Sequence, residues 1–201
     1  MARAERILLV VAVVALGWYA TARANVMLYQ ASQNRQLEEL RLERRDVHLP
    51  SPAAAAPAGP HSRVARSLVG RIEIPRLGLS AIVREGVDDR TLSRAVGHVP
   101  ETALPGGAGN IALAGHRDTF FRPLRQIRTG DRIRISTPDG DFSYVVRDTR
   151  VVAPTEMSVL DPTPEPTLTL ITCYPFNYVG AAPNRFIVRA QAVDSVPRDD
   201  R

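Results

Sequence analysis

From Gly70 onward the chain falls into short runs in which apolar and polar residues alternate, separated by clusters of Gly, Pro, Asp and Asn. Runs at 70–75, 81–84, 111–115, 131–136, 141–152, 168–173 and 185–193 are rich in Ile, Val, Leu and Thr. Successive side chains of an extended strand point to opposite faces, so a period of two marks strands with one buried and one solvated face. Such strands must close on themselves or pack on a second sheet. The pattern predicts an antiparallel barrel or sandwich, with helix confined to short pieces near 91–96 and 120–127. Pro138-Asp-Gly140 reads as a hairpin turn, because Asp-Gly adopts positive φ at little cost. No internal repeat is visible.

The strand-bearing part, 67–194, is the size of one ordinary domain, and the rest reads as appendages. The first is an unbroken apolar run at 7–22, flanked by Arg3, Arg6 and Arg23. As a helix, about 16 residues rise ~24 Å, short of a roughly 30 Å hydrocarbon core. Arg23 is then expected to snorkel and Val26, Met27 and Leu28 to extend the span, with Trp18 and Tyr19 at the interface. Residues 1–28 are therefore read as a membrane anchor with a short cytoplasmic tail. A cleaved signal peptide is the alternative, since Ala20-Thr-Ala22 and Ala22-Arg-Ala24 both place small residues at cleavage-site spacing. Either reading exports the remainder, so the expected location is a single-pass protein of the cell membrane with its folded domain on the extracytoplasmic side. The positive-inside count favours a cytoplasmic N-terminus by a narrow margin.

Residues 29–47 are rich in Gln, Glu, Leu and Arg, with Arg35 and Glu39 four apart. This predicts a charged helix whose Leu37, Leu40 and Leu42 form only a thin stripe, a stalk rather than a coiled coil. The Pro/Ala-rich stretch 50–60 predicts an extended, semi-rigid linker. Stalk and linker together occupy 29–66, and 195–201 is a charged tail.

The net charge is +5, yet all 26 basic residues are arginine and they are scattered among acidic ones. No basic block with interleaved aromatics is present, which argues against a nucleic-acid partner. The lack of lysine closes Schiff-base and Ser/Lys mechanisms and any lysine acceptor within the chain. A single cysteine rules out an internal disulfide and leaves its thiol free.

That cysteine, Cys173, ends the run Leu168-Thr-Leu-Ile-Thr-Cys173. His116 closes Ile111-Ala-Leu-Ala-Gly-His116, and Arg185 opens the last strand. A thiol of ordinary pKa near 8.5 is only a few per cent thiolate at neutral pH, and a neighbouring cation raises that fraction. An imidazole can protonate a departing amine and then take a proton from the next nucleophile. A guanidinium can hold a carbonyl oxygen as it gains negative charge. Together these groups describe acyl transfer through a thioester. Nothing local forces them together, so spacing leaves the plain alternatives open: an inert buried thiol, a turn histidine and a solvated arginine.

The words around these residues resemble the sortase family. Leu113-Ala-Gly-His116 matches its strand closing on Gly-His, and Thr169-Leu-Ile-Thr-Cys173 matches its Thr-Leu-x-Thr-Cys strand. Arg185 stands where the family's arginine opens the last strand, and the stretches 115–124 and 172–176 look most like the class D branch. The resemblance runs from about residue 67 to 193. It implies a mainly β fold, a closed eight-stranded barrel with short helices, preceded by a single N-terminal membrane helix. It also implies a cysteine transpeptidase that cleaves an LPxTG-like sorting signal after Thr, holds the acyl fragment as a thioester and passes it to an amine. Proteins are thereby attached to the cell surface or to each other.

Carried over by position, the resemblance makes Cys173 the nucleophile, His116 the acid and base, and Arg185 the ligand of the oxyanion or substrate carbonyl. Partners implied are proteins with a C-terminal sorting signal and an amine of a cell-wall peptide or protein. Thr172 and Asp118 are further candidate substrate-binding residues. For Asp118 and the adjacent Arg117, a surface ion pair is the plain alternative. The Pro-rich segment 153–166 is implied to be the recognition loop. No cofactor is required and no metal-ligand cluster is visible. A regulatory calcium ion on loop carboxylates stays open without a motif to support it.

Two other readings compete. An L,D-transpeptidase also uses Cys, His and Arg, but its Ser-His-Gly immediately before the cysteine is absent here. A catalytically silent, membrane-tethered β-domain that binds extended peptides is the alternative from a different class.

Overall fold

The computed structural model describes residues 2–46 and 67–193. The linker at 50–60 and the tail at 195–201 lie outside the described residues. Eight strands form the body: β1 (Leu68–Ile74), β2 (Leu79–Glu85), β3 (Val96–His98), β4 (Asn110–Ala114), β5 (Arg132–Thr137), β6 (Gly140–Val152), β7 (Thr167–Tyr174) and β8 (Asn184–Val193). They close into a barrel in the order β1-β2-β3-β4-β7-β8-β6-β5.

Alternation along the strands fills the inside. Ile72 and Ile74 of β1, Ile111 and Leu113 of β4, Ile133 and Ile135 of β5, and Leu168 and Leu170 of β7 share one buried core. Phe121 and Leu124 join it from the connection after β4, part of which is a 3₁₀ turn at Arg122–Gln126. The helix expected near 120–127 is thus this tighter turn, whose second residue, Pro123, cannot donate a backbone hydrogen bond.

Two features differ from the antiparallel expectation. β2 pairs with β3 and β4 pairs with β7 in parallel. The helix expected at 91–96 is a single turn, α2 (Asp89–Leu92), and after a short gap the chain enters β3 at Val96. Asp88 caps that turn, its carboxylate accepting from the Thr91 backbone N–H at 3.1 Å. With three residues, β3 is too short to display a period of two, so it left no sequence signal.

The N-terminal segment is one continuous helix, α1 (Ala2–Asp46), roughly 68 Å long at 1.5 Å per residue. It is long and apolar enough to cross a membrane by length and composition. Its first half exposes Ile7, Leu9, Val14 and Leu16. Its second half lies on the barrel. Leu37 is fully buried against Leu68, Ile82 and Ala95, with Leu40 beside it.

Polar contacts flank that seam on both sides. The Gln30 side chain accepts from the Ile82 N–H at 2.8 Å and donates to the Arg94 carbonyl at 2.6 Å. Arg84 donates to Gln33 at 2.6 Å, and Arg41 and Arg44 pair with Asp141 and Asp139 of the β5–β6 hairpin. Of the thin leucine stripe read as a stalk, Leu37 and Leu40 dock on the barrel while Leu42 stays exposed, because Ile82 sits on the outward face of β2 between the inward Ala81 and Val83. Leu37→Ala is expected to cost about 2–3 kcal/mol, read as a lower denaturation midpoint of the detergent-solubilised chain. An unchanged midpoint would mean that the helix leaves the barrel in solution.

Candidate active site

Parallel neighbours finish at the same edge of a sheet, and an antiparallel neighbour begins there. β4 and β7 are parallel, and β8 is antiparallel to β7. Two strand ends and one strand start therefore meet at one rim of the barrel, and these carry His116, Cys173 and Arg185.

The register makes the meeting specific. Ala114 pairs with Ile171, so the same register continued two residues brings His116 level with Cys173. Past the end of β4 the strands stay joined: the Gly115 N–H donates to the Ile171 carbonyl at 3.1 Å, and the Thr172 hydroxyl donates to the Gly115 carbonyl at 2.7 Å. Across the other seam Cys173 lies directly opposite Arg185. Leu168 and Leu170 point into the core, so by alternation Cys173 faces outward, and its cross-strand partner shares that face.

Glycine before the histidine has a local reason. A Cβ at Gly115 would meet the ring of the fully buried Phe121 at 2.8 Å. The Phe121 N–H in turn donates to the His116 carbonyl at 3.1 Å, curling the chain back on itself.

His116, Cys173 and Arg185 line one cavity of about 320 Å³. Cys173 is half-buried and free. Arg185 is steadied by its own loop, Nη1 donating to the Asn184 carbonyl at 3.1 Å and the Ala182 carbonyl at 3.4 Å. The guanidinium keeps further N–H groups for a ligand.

Other predicted residues fall differently. Asp118 is exposed and lines the cavity, as does Arg117. Thr172 is buried, points to the core side of β7, and spends its hydroxyl on Gly115; it is not among the lining residues. Arg117 is more than a surface charge. Its Nη2 donates to the carbonyls of Tyr178 at 2.6 Å and Gly180 at 3.0 Å, and its guanidinium lies 5.8 Å from the Tyr178 ring centre. It thus ties down the β7–β8 connection, whose Gly180, Ala181 and Ala182 form the facing wall. Its partners are backbone carbonyls, which leave no mark in a charge pattern.

His98 of β3 is the other described histidine, and it is structural. It is buried, with Nδ1 2.8 Å from a Glu85 carboxylate oxygen and Nε2 2.9 Å from the Ala103 carbonyl.

Comparison with known proteins agrees with this geometry. The family model described as a sortase domain matches residues 72–193. Sortase D of Bacillus subtilis (strain 168) is 38% identical over 125 residues, covering 62% of this chain and 63% of that protein. Sortase SrtE1 of Streptomyces coelicolor is 31% identical over 200 residues, covering 90% of this chain and 52% of the relative. The match thus spans between about half and just under two thirds of these curated relatives.

Among solved structures, a Clostridium perfringens Sortase D5 transpeptidase superposes with a TM-score of 0.64 at 25% identity, covering 82% of this chain and 98% of that one. Sortase C-1 of Actinomyces oris gives 0.60 at 28% identity, covering 79% and 98%. The matched residues begin in β1, end with β8 and take in His116, Cys173 and Arg185, so the chain belongs to the sortase family and is class D-like.

Proposed function

We propose that this chain is a membrane-tethered cysteine transpeptidase acting on an LPxTG-like sorting signal. In this reading residues 1–28 anchor it, 29–66 tether it and 67–194 form the catalytic barrel on the extracytoplasmic side. The observation that carries the reading is Cys173 directly opposite Arg185, with His116 lining the same cavity.

The Cys173 thiolate attacks the backbone carbonyl carbon of the signal's threonine, and the oxygen becomes an oxyanion. Arg185, whose guanidinium stays charged, donates to that oxygen. His116, as imidazolium, gives a proton to the departing amine as the C–N bond breaks, leaving a thioester on Cys173. The now neutral imidazole accepts a proton from the incoming amine as it attacks the thioester carbonyl. The new amide forms, the C–S bond breaks, and the thiolate and imidazolium are restored.

A site for an extended peptide lies alongside. Between Thr169 and Cys173 β7 advances four residues, about 13 Å at 3.3 Å per residue, the length of four extended residues of substrate. The 153–166 connection, with its 3₁₀ turn at Met157–Leu160, serves as the recognition loop beside that track. The substrate is a protein bearing the signal near its C-terminus, and the acceptor is an amine of a cell-wall peptide or protein.

The test is to incubate the chain with a panel of sorting-signal peptides and weigh the protein. A peptide that adds its acyl fragment to Cys173, and is released as a new amide when an amine is supplied, confirms the reading. Failure of every peptide to load refutes it. Arg117→Ala is expected to raise KM about tenfold with kcat within a few-fold. It removes charge-assisted bonds that hold a wall of the cleft, each worth roughly 1.5–3 kcal/mol. Steady-state kinetics with the loading peptide checks this, and an unchanged KM would make the wall irrelevant to binding.

A further inference from the structure

We infer that Asn110 is a positioning residue that latches the β6–β7 connection onto the two strands carrying His116 and Cys173, and so sets the far wall of the peptide groove. The inference rests on the transpeptidase reading above for what the groove holds, and on geometry for the latch itself.

Asn110 opens β4 and is 2% exposed, and Thr169 of β7 is 0% exposed. The Asn110 Nδ2 donates to the carbonyls of Val159 at 2.8 Å and Asp161 at 3.2 Å, in and just past the Met157–Leu160 turn. Its Oδ1 accepts from the Thr169 hydroxyl at 2.6 Å. Two carbonyls facing one end of the amide fix its orientation, because only the nitrogen end can donate to both. Val159 is itself buried, so the turn is seated on the barrel.

The latch shares a face with the site. Ile111 and Leu113 point into the core, which turns Asn110, Ala112 and Ala114 outward; Leu168 and Leu170 do the same for Thr169, Ile171 and Cys173. Asn110 and Thr169 thus stand at one end of a two-strand track, and His116 and Cys173 stand at the other. Between them stand Ala112 and Ala114 on β4 and Ile171 on β7. A connection running from 153 to 166 with no strand of its own is held where this amide holds it.

Asn110→Asp is the sharpest probe, since it keeps the shape and turns a donor toward two carbonyls into an acceptor. Thr169→Val removes the supporting hydroxyl at constant volume, and Thr169→Ser retains it. Hydrogen exchange of the full chain is expected to rise at least about tenfold in the segment 156–161 of Asn110→Asp, with β4 and β7 still protected. For a peptide that loads the native chain, KM is expected to rise about tenfold, the equivalent of losing one buried hydrogen bond of ~1.4 kcal/mol. The value of kcat and the rate at which iodoacetamide alkylates Cys173 should stay within about twofold. Thr169→Val should follow in direction and Thr169→Ser should match the native chain.

Unchanged exchange in Asn110→Asp overturns the latch, and raised exchange with native KM overturns its role in the groove. Parallel loss of KM, kcat and alkylation in both Asn110→Asp and Thr169→Val makes the contact a general fold support and overturns the positioning role. A native chain that loads no peptide refutes the transpeptidase reading instead, and the exchange measurement still judges the latch.

Discussion

Cys173→Ala yields no acyl adduct and no transfer product from a peptide that loads the native chain, a loss of at least about four orders of magnitude. Of the groups lining the cavity the thiol is the strongest nucleophile; the chain has no lysine, and Arg185 cannot attack. The fold survives, because Cys173 is half-buried at a strand end outside the barrel core and bridges to nothing. Intact-mass analysis reads the adduct and a denaturation curve reads the fold. Product formed at the native rate by this variant would sink the assignment. Loss of product together with loss of the cooperative transition would show a structural thiol instead.

The second large effect belongs to the two residues that flank the sulfur. Arg185→Ala is expected to lower kcat/KM by about 10²–10³, the usual cost of removing one donor aimed at an oxyanion. His116→Ala removes both proton transfers and is expected to cost about 10²–10⁴. The double variant should fall no further than roughly tenfold below the worse single variant, since groups acting in one step fail as a unit. Arg185→Lys should recover little, because an ammonium lacks the planar fork that a strand-anchored guanidinium presents. Single-turnover loading of the peptide isolates the first chemical step. Losses that multiply across the double variant would assign the two residues to separate steps.

Much of the barrel was legible before any coordinates. The alternation in 70–75, 131–136 and 168–173 is the direct imprint of side chains that face a core and solvent in turn, and β1, β5 and β7 formed there. The hairpin at Pro138 and Asp139 was legible because turn residues act locally, and β5 and β6 do pair across it. β3 was not legible, since three residues cannot establish a period. Nor was the parallel pairing of β4 with β7, because β5 and β6 intervene in sequence while closing the far side of the barrel. The seat of Leu37 on Ile82 was hidden for a related reason: a leucine stripe announces that a helix has an apolar face, and says nothing of which surface will cover it.

The site divides along the same line. Cys173, His116 and Arg185 could be picked out as strand-end residues of the right chemical types, inside words that resemble a family. Arg117 and Asn110 could not be assigned, since the groups they donate to are backbone carbonyls of Tyr178, Gly180, Val159 and Asp161, and every residue has a carbonyl. Residue type, local period and turn chemistry are properties of short stretches, and the chain alone specified them: a β domain, an apolar leading helix, and one thiol, one imidazole and one guanidinium at strand ends. Proximity between stretches depends on strand order and register, which arise only when the barrel closes. Closure alone set Cys173 opposite Arg185, carried His116 to the same rim, and laid the leading helix and the β6–β7 connection against the outside of the barrel.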